Sequence, residues 1–299
     1  MKNPNNKMML RIAQGDAFAA AAEFVGDKDH LYKFDKFYQH PGHEKLAPGS
    51  YTDDTQMSIA NAEVLLGNDT SDLAFANSWV EAFKRDERDG YARGFQGFLE
   101  ELTEGGEEFL KKIKPTSNRN GAAMRAVPLG VIPDIETLIK ISDQQAKLTH
   151  NTYGGMLSSS IVALASHYAL YYDSPLNEVD TFISEHIGQT IYDDDWLQNV
   201  LFCDWMGKVP CHGASTAQAV LSLLRNYDNL MDMMRQTILW GGDTDSVASI
   251  AWGIASARYD DELPEFLTKE LEVESPYGVD YLLDLGQKLM DKYNVISSK

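Results

Sequence analysis

The sequence predicts an all-α protein: a single compact bundle of many helices that forms one domain over residues 1–299. Apolar residues recur with a helical period along most of the chain, as in Val247, Ile250, Ala251 and Ile254, whose spacing defines one helix face. No series of alternating Val, Ile and Thr residues predicts strands, and no G-x-G-x-x-G motif follows a strand-like run. A chain of 299 residues is also long enough to bury a large core.

The helices of the first half are predicted from apolar faces between polar breaks. In chain order these patterns are an alanine-rich segment, an apolar run that begins with acidic residues, an apolar helix face that follows a Ser-x-Leu start, and a helix face rich in phenylalanine. The charged segment 104–114 indicates a solvated link, and the scattered His, Tyr and Gly residues of 27–50 indicate a loop that borders a site. The four apolar patterns predict helices over 8–24, 51–66, 71–86 and 90–104.

The second half continues the helical pattern. The stretch 116–130 begins polar and glycine-containing, then turns into a short helix that ends before Pro128. The acidic triple Asp193, Asp194 and Asp195 is interpreted as a solvated turn in a connection. Further helices, each with an apolar face, are predicted over 134–146, 150–172, 180–188, 215–226, 230–239, 246–258 and 278–293.

Composition restricts the partners and the compartment. The net charge of −19 repels polyanions, so direct nucleic-acid binding is not expected. Cys203 and Cys211 lack the spacing of a disulfide framework or a thiolate zinc site. The first residues lack the apolar core of a signal peptide, and the apolar tract 156–172 is interrupted and too short to cross a bilayer. We therefore predict a cytoplasmic protein that does not bind membranes.

Two distant segments each place two carboxylates and two hydroxyls at a predicted helix start. One is TDDT, from Thr52, and the other is DTDS, from Asp243. The simpler interpretations are an N-cap at Asp243 and a capping box of Asp53 with Gln56. A cap, however, uses one carboxylate, and adjacent acids repel each other. Four carboxylates on two helix starts therefore favour a site where they meet around cations.

The donor atoms of these segments indicate the kind of metal. Carboxylate and hydroxyl oxygens, without Cys and with little His, suit Mg²⁺ or Mn²⁺, admit Ca²⁺, and argue against zinc or copper. In a two-metal site the ions lie about 3.5–4 Å apart and need carboxylates that bridge them. We therefore predict two divalent cations, Mg²⁺ or Mn²⁺, held by Thr52, Asp53, Asp54, Asp243, Asp245 and Ser246.

The chain resembles the ADP-ribosylglycohydrolase family over about residues 8–259. TDDT alone is a weak signal, whereas its pairing with GGDTDS at this separation, with NGAAMR between them, is specific. The resemblance rests on five stretches in the family's order: GDAFAAAAEF from Gly15, TDDT from Thr52, NGAAMRAVPLG from Asn120, LTH from Leu148 and GGDTDS from Gly241.

The resemblance implies an all-helical fold with a binuclear Mg²⁺ or Mn²⁺ centre at the six residues given above, which holds the ribose hydroxyls beside the scissile C1″ bond. It implies Glu23 and Asp54 as catalytic carboxylates, which suits an oxocarbenium-like transition state. It also implies that His150 helps to hold the adenosine side. The diphosphate would lie along Ser117, Asn118, Arg119, Asn120 and Gly121. Backbone N–H groups around Asn120 and Gly121 would contact it, with Arg119 as the charge partner.

Simpler interpretations exist for several of these residues. Glu23 could end the first helix on the surface, His150 could hydrogen-bond at the first turn of a long helix, and Arg125 could pair internally with a carboxylate. The sequence also departs from the family pattern. Ser246 stands where Thr is usual but keeps the hydroxyl, and Arg119 replaces a frequent glycine. Alanines replace glycine and proline in GDAFAAAAEF, which bears on the position of Glu23.

These inferences predict a metal-dependent hydrolase that cleaves the C1″ ribosidic bond of an ADP-ribosylated protein or small molecule and releases ADP-ribose. Arginine is the default acceptor by family analogy, with serine, a nucleobase or a small molecule as alternatives. Two competing interpretations are a non-catalytic ADP-ribose-binding or structural protein on the same scaffold, and a two-metal phosphohydrolase that acts on the diphosphate. Loss of acidic ligands would have favoured the first of these, but all are present.

Overall fold

The computed structural model describes residues 6–187 and 194–295, and within these ranges it contains helices and no strand. This confirms the all-α prediction. The first eight helices are α1 (Met8–Ala19), α2 (Asp53–Leu66), α3 (Asp72–Arg85), α4 (Arg93–Glu100), α5 (Gly106–Lys112), α6 (Gly121–Met124), α7 (Ile135–His150) and α8 (Tyr153–Tyr171). The others are α9 (Val179–His186), α10 (Asp194–Phe202), α11 (Gly213–Asn226), α12 (Leu230–Trp240), α13 (Thr244–Ala255), α14 (Phe266–Lys269) and α15 (Val279–Lys292).

The core centres on α13, every residue of which is buried. Helix α1 packs along it, and the contact is close because Gly15 has no side chain: a Cβ there would lie 2.7 Å from the Ala248 carbonyl oxygen. The other end of α13 is anchored through the Trp252 indole, whose Nε1 donates to the Leu230 carbonyl oxygen at 2.8 Å. The small residues between the apolar positions of α13 thus serve close helix packing, as their size indicates.

The segment 104–114 is not the solvated link that its charges predicted, because it contains α5. The Glu108 carboxylate accepts hydrogen bonds from the backbone N–H groups of Thr103, at 2.7 Å, and Glu104, at 2.8 Å. Phe109 is fully buried against the Trp79 ring, with centroids 5.8 Å apart. Local capping and one buried aromatic ring therefore stabilise a short helix that charge counting misses.

Other predicted boundaries also change. The chain leaves α1 through a tight helical turn at Ala20–Ala22, so the first helix ends before Glu23. His150 ends α7 and does not begin the next helix, which starts after Thr152, whose hydroxyl accepts from the Gly155 N–H at 3.2 Å.

The sequence predicts a turn at the acidic triple, but Asp194 and Asp195 begin α10; Asp193 lies outside the described residues.

The cysteine and membrane predictions can also be compared with the structure. Both cysteines are free: Cys203 is exposed and Cys211 half-buried. In the described ranges, no helix combines the length and the apolar character that crossing a bilayer requires.

Candidate metal centre and catalytic cleft

The N-terminus of α2 is held by Asp16, a fully buried residue of α1. Its carboxylate accepts four hydrogen bonds: from the N–H of Thr52 at 3.0 Å, the N–H of Thr55 at 3.1 Å, and their hydroxyls at 2.9 and 2.6 Å. An external carboxylate therefore satisfies N–H groups that a helix start leaves unpaired. Since Asp16 performs this role, Asp53 and Asp54 are not needed as caps.

The N-terminus of α13 follows a Gly-Gly turn that joins three segments. The Gly242 carbonyl oxygen accepts from the Phe24 N–H at 2.9 Å, and the Asp243 N–H donates to the Val209 carbonyl oxygen at 2.9 Å. Only glycine fits at position 242, because its φ is +91° and a Cβ would lie 1.9 Å from that Val209 oxygen. The turn thus places Glu23 beside the start of α13.

Neither acidic helix start follows the simple capping interpretation. Asp243 occupies the N-cap position of α13, but its side chain makes no capping hydrogen bond. At α2 the N-cap is Thr52, whose hydroxyl accepts from the Asp54 N–H at 3.3 Å. Gln56 does not complete a capping box, because its amide donates to the Asp86 carbonyl oxygen and accepts from the Tyr91 hydroxyl, both at 2.6 Å.

Both acidic segments meet in one cleft of about 760 Å³. Glu23, Asp243 and Asp245 each present an oxygen, and these oxygens lie within 4.8 Å of one another. Thr52 does not line the cleft in the described structure; it is fully buried, and its hydroxyl donates to Asp16. The predicted residues that line the acidic end of the cleft are Glu23, Asp53, Asp54, Asp243, Asp245 and Ser246.

The concentration of carboxylates shifts their acidity. Burial is the main cause that raises the pKa of Asp53, Asp54, Asp243 and Asp245, and the negative charges of neighbouring carboxylates raise it further. Burial likewise raises the pKa of Asp16 to about 6, although the hydrogen bonds from the two threonines oppose this. Without a compensating cation, so many buried negative charges are unfavourable.

The donor set fits a hard divalent cation. Asp245 Oδ1 is buried and has no hydrogen-bond partner in the described structure, which is costly for a carboxylate unless a ligand uses the oxygen. The carboxylates beside it and the Ser246 hydroxyl supply further oxygens, the ligand type that Mg²⁺ and Mn²⁺ prefer. The thiol of Cys211 hydrogen-bonds Asp243, and burial raises the pKa of that thiol.

The predicted diphosphate loop divides into two roles. Asn120 is buried, and its amide donates to Asp243 Oδ2 at 3.0 Å and to Thr216 Oγ1 at 3.2 Å, so it supports the acidic cluster. Ser117, Arg119 and Gly121 line the cleft beside it. In the described structure Asn118 is not part of the lining; its carbonyl oxygen accepts from the Gly213 N–H at 3.1 Å and ties the loop to α11.

His150 and Arg125 lie together at the wall of the cleft. The His150 Nδ1 is 2.6 Å from the Thr149 hydroxyl, and burial together with the Arg125 charge lowers the pKa of His150 to about 3, so the ring is neutral. Arg125 makes no ion pair among the described residues, contrary to the carboxylate pairing considered above. Its guanidinium instead donates to the Gln145 side chain at 2.6 Å and lies over the Trp79 ring at 4.0 Å.

Three groups of site residues were missed by sequence reasoning. Asp16 lies in an alanine-rich helix, and only its place within the GDAFAAAAEF stretch could have drawn attention to it. His40 contacts Glu23 from the 27–50 loop, which was interpreted as bordering a site without naming a residue. The third group is a basic and aromatic rim contributed by α4, the last residue of α5 and the segment after it: Arg93, Phe95, Phe98, Lys112 and Lys114.

Comparison with known proteins places the chain in a family. The family model for ADP-ribosylglycohydrolases matches residues 7–297. The ADP-ribosyl-[dinitrogen reductase] glycohydrolase of Rhodospirillum rubrum is 27% identical, covering 93% of this chain and 94% of the relative. The ADP-ribosylhydrolase ARH3 of Xenopus tropicalis is 26% identical over 95% and 94%. An ADP-ribosylarginine hydrolase of Serratia proteamaculans is 23% identical over 84% of this chain and 70% of the relative.

A solved structure described as an ADP-ribosylglycohydrolase-related protein complex superposes with a TM-score of 0.77 at 20% identity and covers 98% of both chains, which establishes the fold. Together these matches define the class of protein: a hydrolase of glycosidic bonds on an all-α scaffold. Because the family model covers nearly the whole sequence, the chain belongs to the ADP-ribosylglycohydrolase family. This confirms the resemblance and the predicted enzyme class.

Proposed function

We propose that this chain is a divalent-metal-dependent hydrolase that cleaves the C1″ ribosidic bond of an ADP-ribosylated acceptor and releases ADP-ribose. ADP-ribosylarginine on a protein is the first acceptor to test, because relatives at 23–27% identity are named for ADP-ribosylarginine and for ADP-ribosylated dinitrogen reductase. Serine, a nucleobase or a small molecule are the alternative acceptors.

The observation that carries the proposal is the cluster of Glu23, Asp243 and Asp245 at the acidic end of the cleft, with an unpartnered buried oxygen on Asp245. Mg²⁺ or Mn²⁺ at this place would be held by the predicted residues of the α2 and α13 starts that line the cleft, Asp53, Asp54, Asp243, Asp245 and Ser246. The sixth predicted residue, Thr52, lies outside this lining, with its hydroxyl 3.4 Å from Asp54 Oδ2. When bound, the cations neutralise these carboxylates and polarise the ribose hydroxyls.

The reaction replaces the bond from C1″ to the acceptor by a bond from C1″ to the oxygen of water, and the water gives up one proton while the acceptor gains one. Positive charge develops on the ribose ring as the bond breaks, so a nearby carboxylate lowers the barrier. Glu23 is the carboxylate that we assign to this role, because its side chain lies in the cleft and is partly open to solvent. Asp54 is the second candidate, and it is more deeply buried.

The same cleft also carries basic side chains, which suit the anionic portion of the substrate. Ser117 and Gly121 border the cleft, and Arg119, Arg93, Lys112 and Lys114 bring four cationic side chains into a chain whose net charge is −19. Such a local reversal of charge attracts a diphosphate. The neutral His150, packed against Gly121, is assigned to the adenosine side.

The test combines product analysis with metal binding. The wild-type protein is incubated with ADP-ribosylarginine and Mg²⁺ or Mn²⁺, and free ADP-ribose is the expected product. AMP as the product would support a phosphohydrolase, and binding without turnover would support a non-catalytic reader; either outcome would overturn the proposal.

The variant Asp245→Asn tests the metal assignment. We expect it to bind Mn²⁺ more weakly in calorimetry and to lose turnover while its far-ultraviolet circular dichroism is unchanged. The matched control is Asp284→Asn, an exposed carboxylate of α15 that pairs with Lys288 at 2.6 Å. Full turnover by Asp245→Asn after chelation of trace metal would refute the site.

A further inference from the structure

The Glu23 carboxylate is held by one side chain of the 27–50 loop. His40 Nε2 lies 3.0 Å from Glu23 Oε2, and the imidazole is buried, with 5% of its surface exposed. Among the described residues, His40 is the hydrogen-bond partner of this carboxylate. The backbone next to Glu23 is fixed separately, because the Phe24 N–H donates to the Gly242 carbonyl oxygen.

The second ring nitrogen of His40 determines which nitrogen carries the proton. The Gly42 N–H donates to His40 Nδ1 at 2.9 Å, so Nδ1 must be an acceptor and cannot carry hydrogen. The imidazole is therefore neutral, and its proton is on Nε2, from where it donates to Glu23 Oε2. The other oxygen of the carboxylate, Oε1, remains available to the cleft.

The loop around His40 is itself ordered by local contacts. The His43 ring meets the His40 ring edge-on, with centroids 4.4 Å apart. The Gln39 amide donates to the carbonyl oxygens of Leu46, at 2.6 Å, and His43, at 3.3 Å. The imidazole is therefore packed in one orientation, which an orienting group requires.

A metal at this place is a competing use of the same residues, because ligand atoms of Glu23, His40 and His43 lie within 4.8 Å of one another. Coordination through His40 Nε2 would require the ring proton to move to Nδ1. That proton would then face the Gly42 N–H, so two donors would oppose each other at 2.9 Å. The hydrogen-bond pattern therefore favours a role in orientation over metal binding.

We propose that His40 is a positioning residue for the reaction: as a neutral donor fixed by the Gly42 N–H, it orients the Glu23 carboxylate toward the reacting C1″. This inference rests on the proposed function for its kinetic consequence, but the state of the imidazole does not depend on activity. It assigns to the 27–50 loop a role in kcat, in contrast to the binding of the diphosphate by the basic residues of the cleft.

The kinetic test uses two substitutions. His40→Gln keeps an amide donor near the position of Nε2, whereas His40→Phe keeps a ring of similar size without a donor. We expect His40→Phe to lower kcat by about 10- to 100-fold, since misplacement of a catalytic group by about 1 Å has effects of this size. KM and the Kd for ADP-ribose should stay within about two-fold. His40→Gln should retain most of kcat.

A double-mutant cycle separates positioning from a structural effect. In the Glu23→Gln background, His40→Phe should cause no further loss, because His40 acts through that carboxylate. His30→Phe is the control, since the His30 ring meets the Tyr38 ring edge-on in the same loop, with centroids 4.7 Å apart, and does not line the cleft. Equal losses in both backgrounds, a change confined to KM, or equal losses in His40→Gln and His40→Phe would overturn the proposal.

A measurement without turnover completes the test. Long-range ¹H–¹⁵N correlation spectra at pH 7 should show His40 with a protonated Nε2 and an unprotonated Nδ1. A doubly protonated ring, or the opposite tautomer, would refute the orientation mechanism. Failure of the proposed function is distinguishable, because the wild type would then release no ADP-ribose while the spectra would still report the state of His40.

Discussion

In the absence of divalent cations, the folded chain should lose stability as the pH rises from 5.5 to 7.5. The pKa values of Asp16 and of the four cleft aspartates are raised, mainly by burial. A carboxyl whose folded pKa exceeds its unfolded pKa binds more protons in the folded state. Its protonated folded form is favoured at low pH, and stability falls as the pH rises through the folded pKa.

The magnitude can be estimated from Asp16, whose pKa rises from 3.8 to about 6. One pKa unit corresponds to about 1.4 kcal/mol, so the full cost at high pH is roughly 3 kcal/mol, of which roughly 1 kcal/mol falls between pH 5.5 and 7.5. Each cleft carboxyl still protonated at pH 7.5 adds up to about 2.7 kcal/mol over these two units. A saturating cation should remove or reverse the slope, because it binds ionised carboxylates that are assembled only in the folded chain.

The assay is urea unfolding followed by far-ultraviolet circular dichroism at pH 5.5, 6.5 and 7.5, once with EDTA and once with Mn²⁺. We expect the free energy of unfolding in EDTA to fall by about 1 kcal/mol or more across this range. Asp245→Asn should flatten the slope, whereas Asp284→Asn, at the exposed surface of α15, should keep it. A stability that stays constant or increases with pH in EDTA would show that the reasoning from buried carboxylates is wrong.

Two further substitutions test the supports of the acidic cluster. Asn120→Ala removes the amide donor that lies 3.0 Å from Asp243 Oδ2, and Mn²⁺ affinity measured by calorimetry should fall by about 10- to 100-fold; an unchanged affinity would exclude this supporting role. Gly242→Ala places a Cβ 1.9 Å from the Val209 oxygen at a φ of +91°, so urea unfolding should show a loss of roughly 3 kcal/mol or more. Its control is Gly207→Ala, at a φ of +83° with no atom within 4 Å, where about 1–2 kcal/mol is expected from the backbone alone; equal losses would contradict the steric explanation.

The convergence of the two acidic segments was predictable because it depends on donor chemistry that is visible in the sequence. Six residues with oxygen ligands at two helix starts predicted one common metal site. Five of them line the cleft, and Thr52 does not. The function of Thr52 in the described structure, as an N-cap and a donor to Asp16, depends on a residue 36 positions away. Hydrophobic periodicity and helix propensity describe local preferences, and they contain no information about a hydrogen-bond partner that is distant in sequence.

The errors at helix boundaries have local causes. The predicted α7–α8 junction lies at His150, although the Thr152 hydroxyl caps α8; threonine is a favoured N-cap residue and was a usable signal. Helix α5 was missed because Glu108 was counted as a solvated charge, whereas its carboxylate accepts backbone N–H groups. The basic rim was missed for another reason: Arg93 comes from α4, Lys112 and Lys114 come from a later segment, and they meet only in the folded chain.

The hydrogen bonds from Thr52 and Thr55 to Asp16 have a consequence for protein design. A designer who transplants the acidic turn of α2 onto another helical scaffold would leave its first N–H groups without the acceptor that α1 provides. The neighbouring aspartates would then compete for those groups and turn away from any bound ion. The smallest portable unit is therefore a pair of crossing helices, and a successful graft must carry the buried carboxylate of the first with the acidic turn of the second.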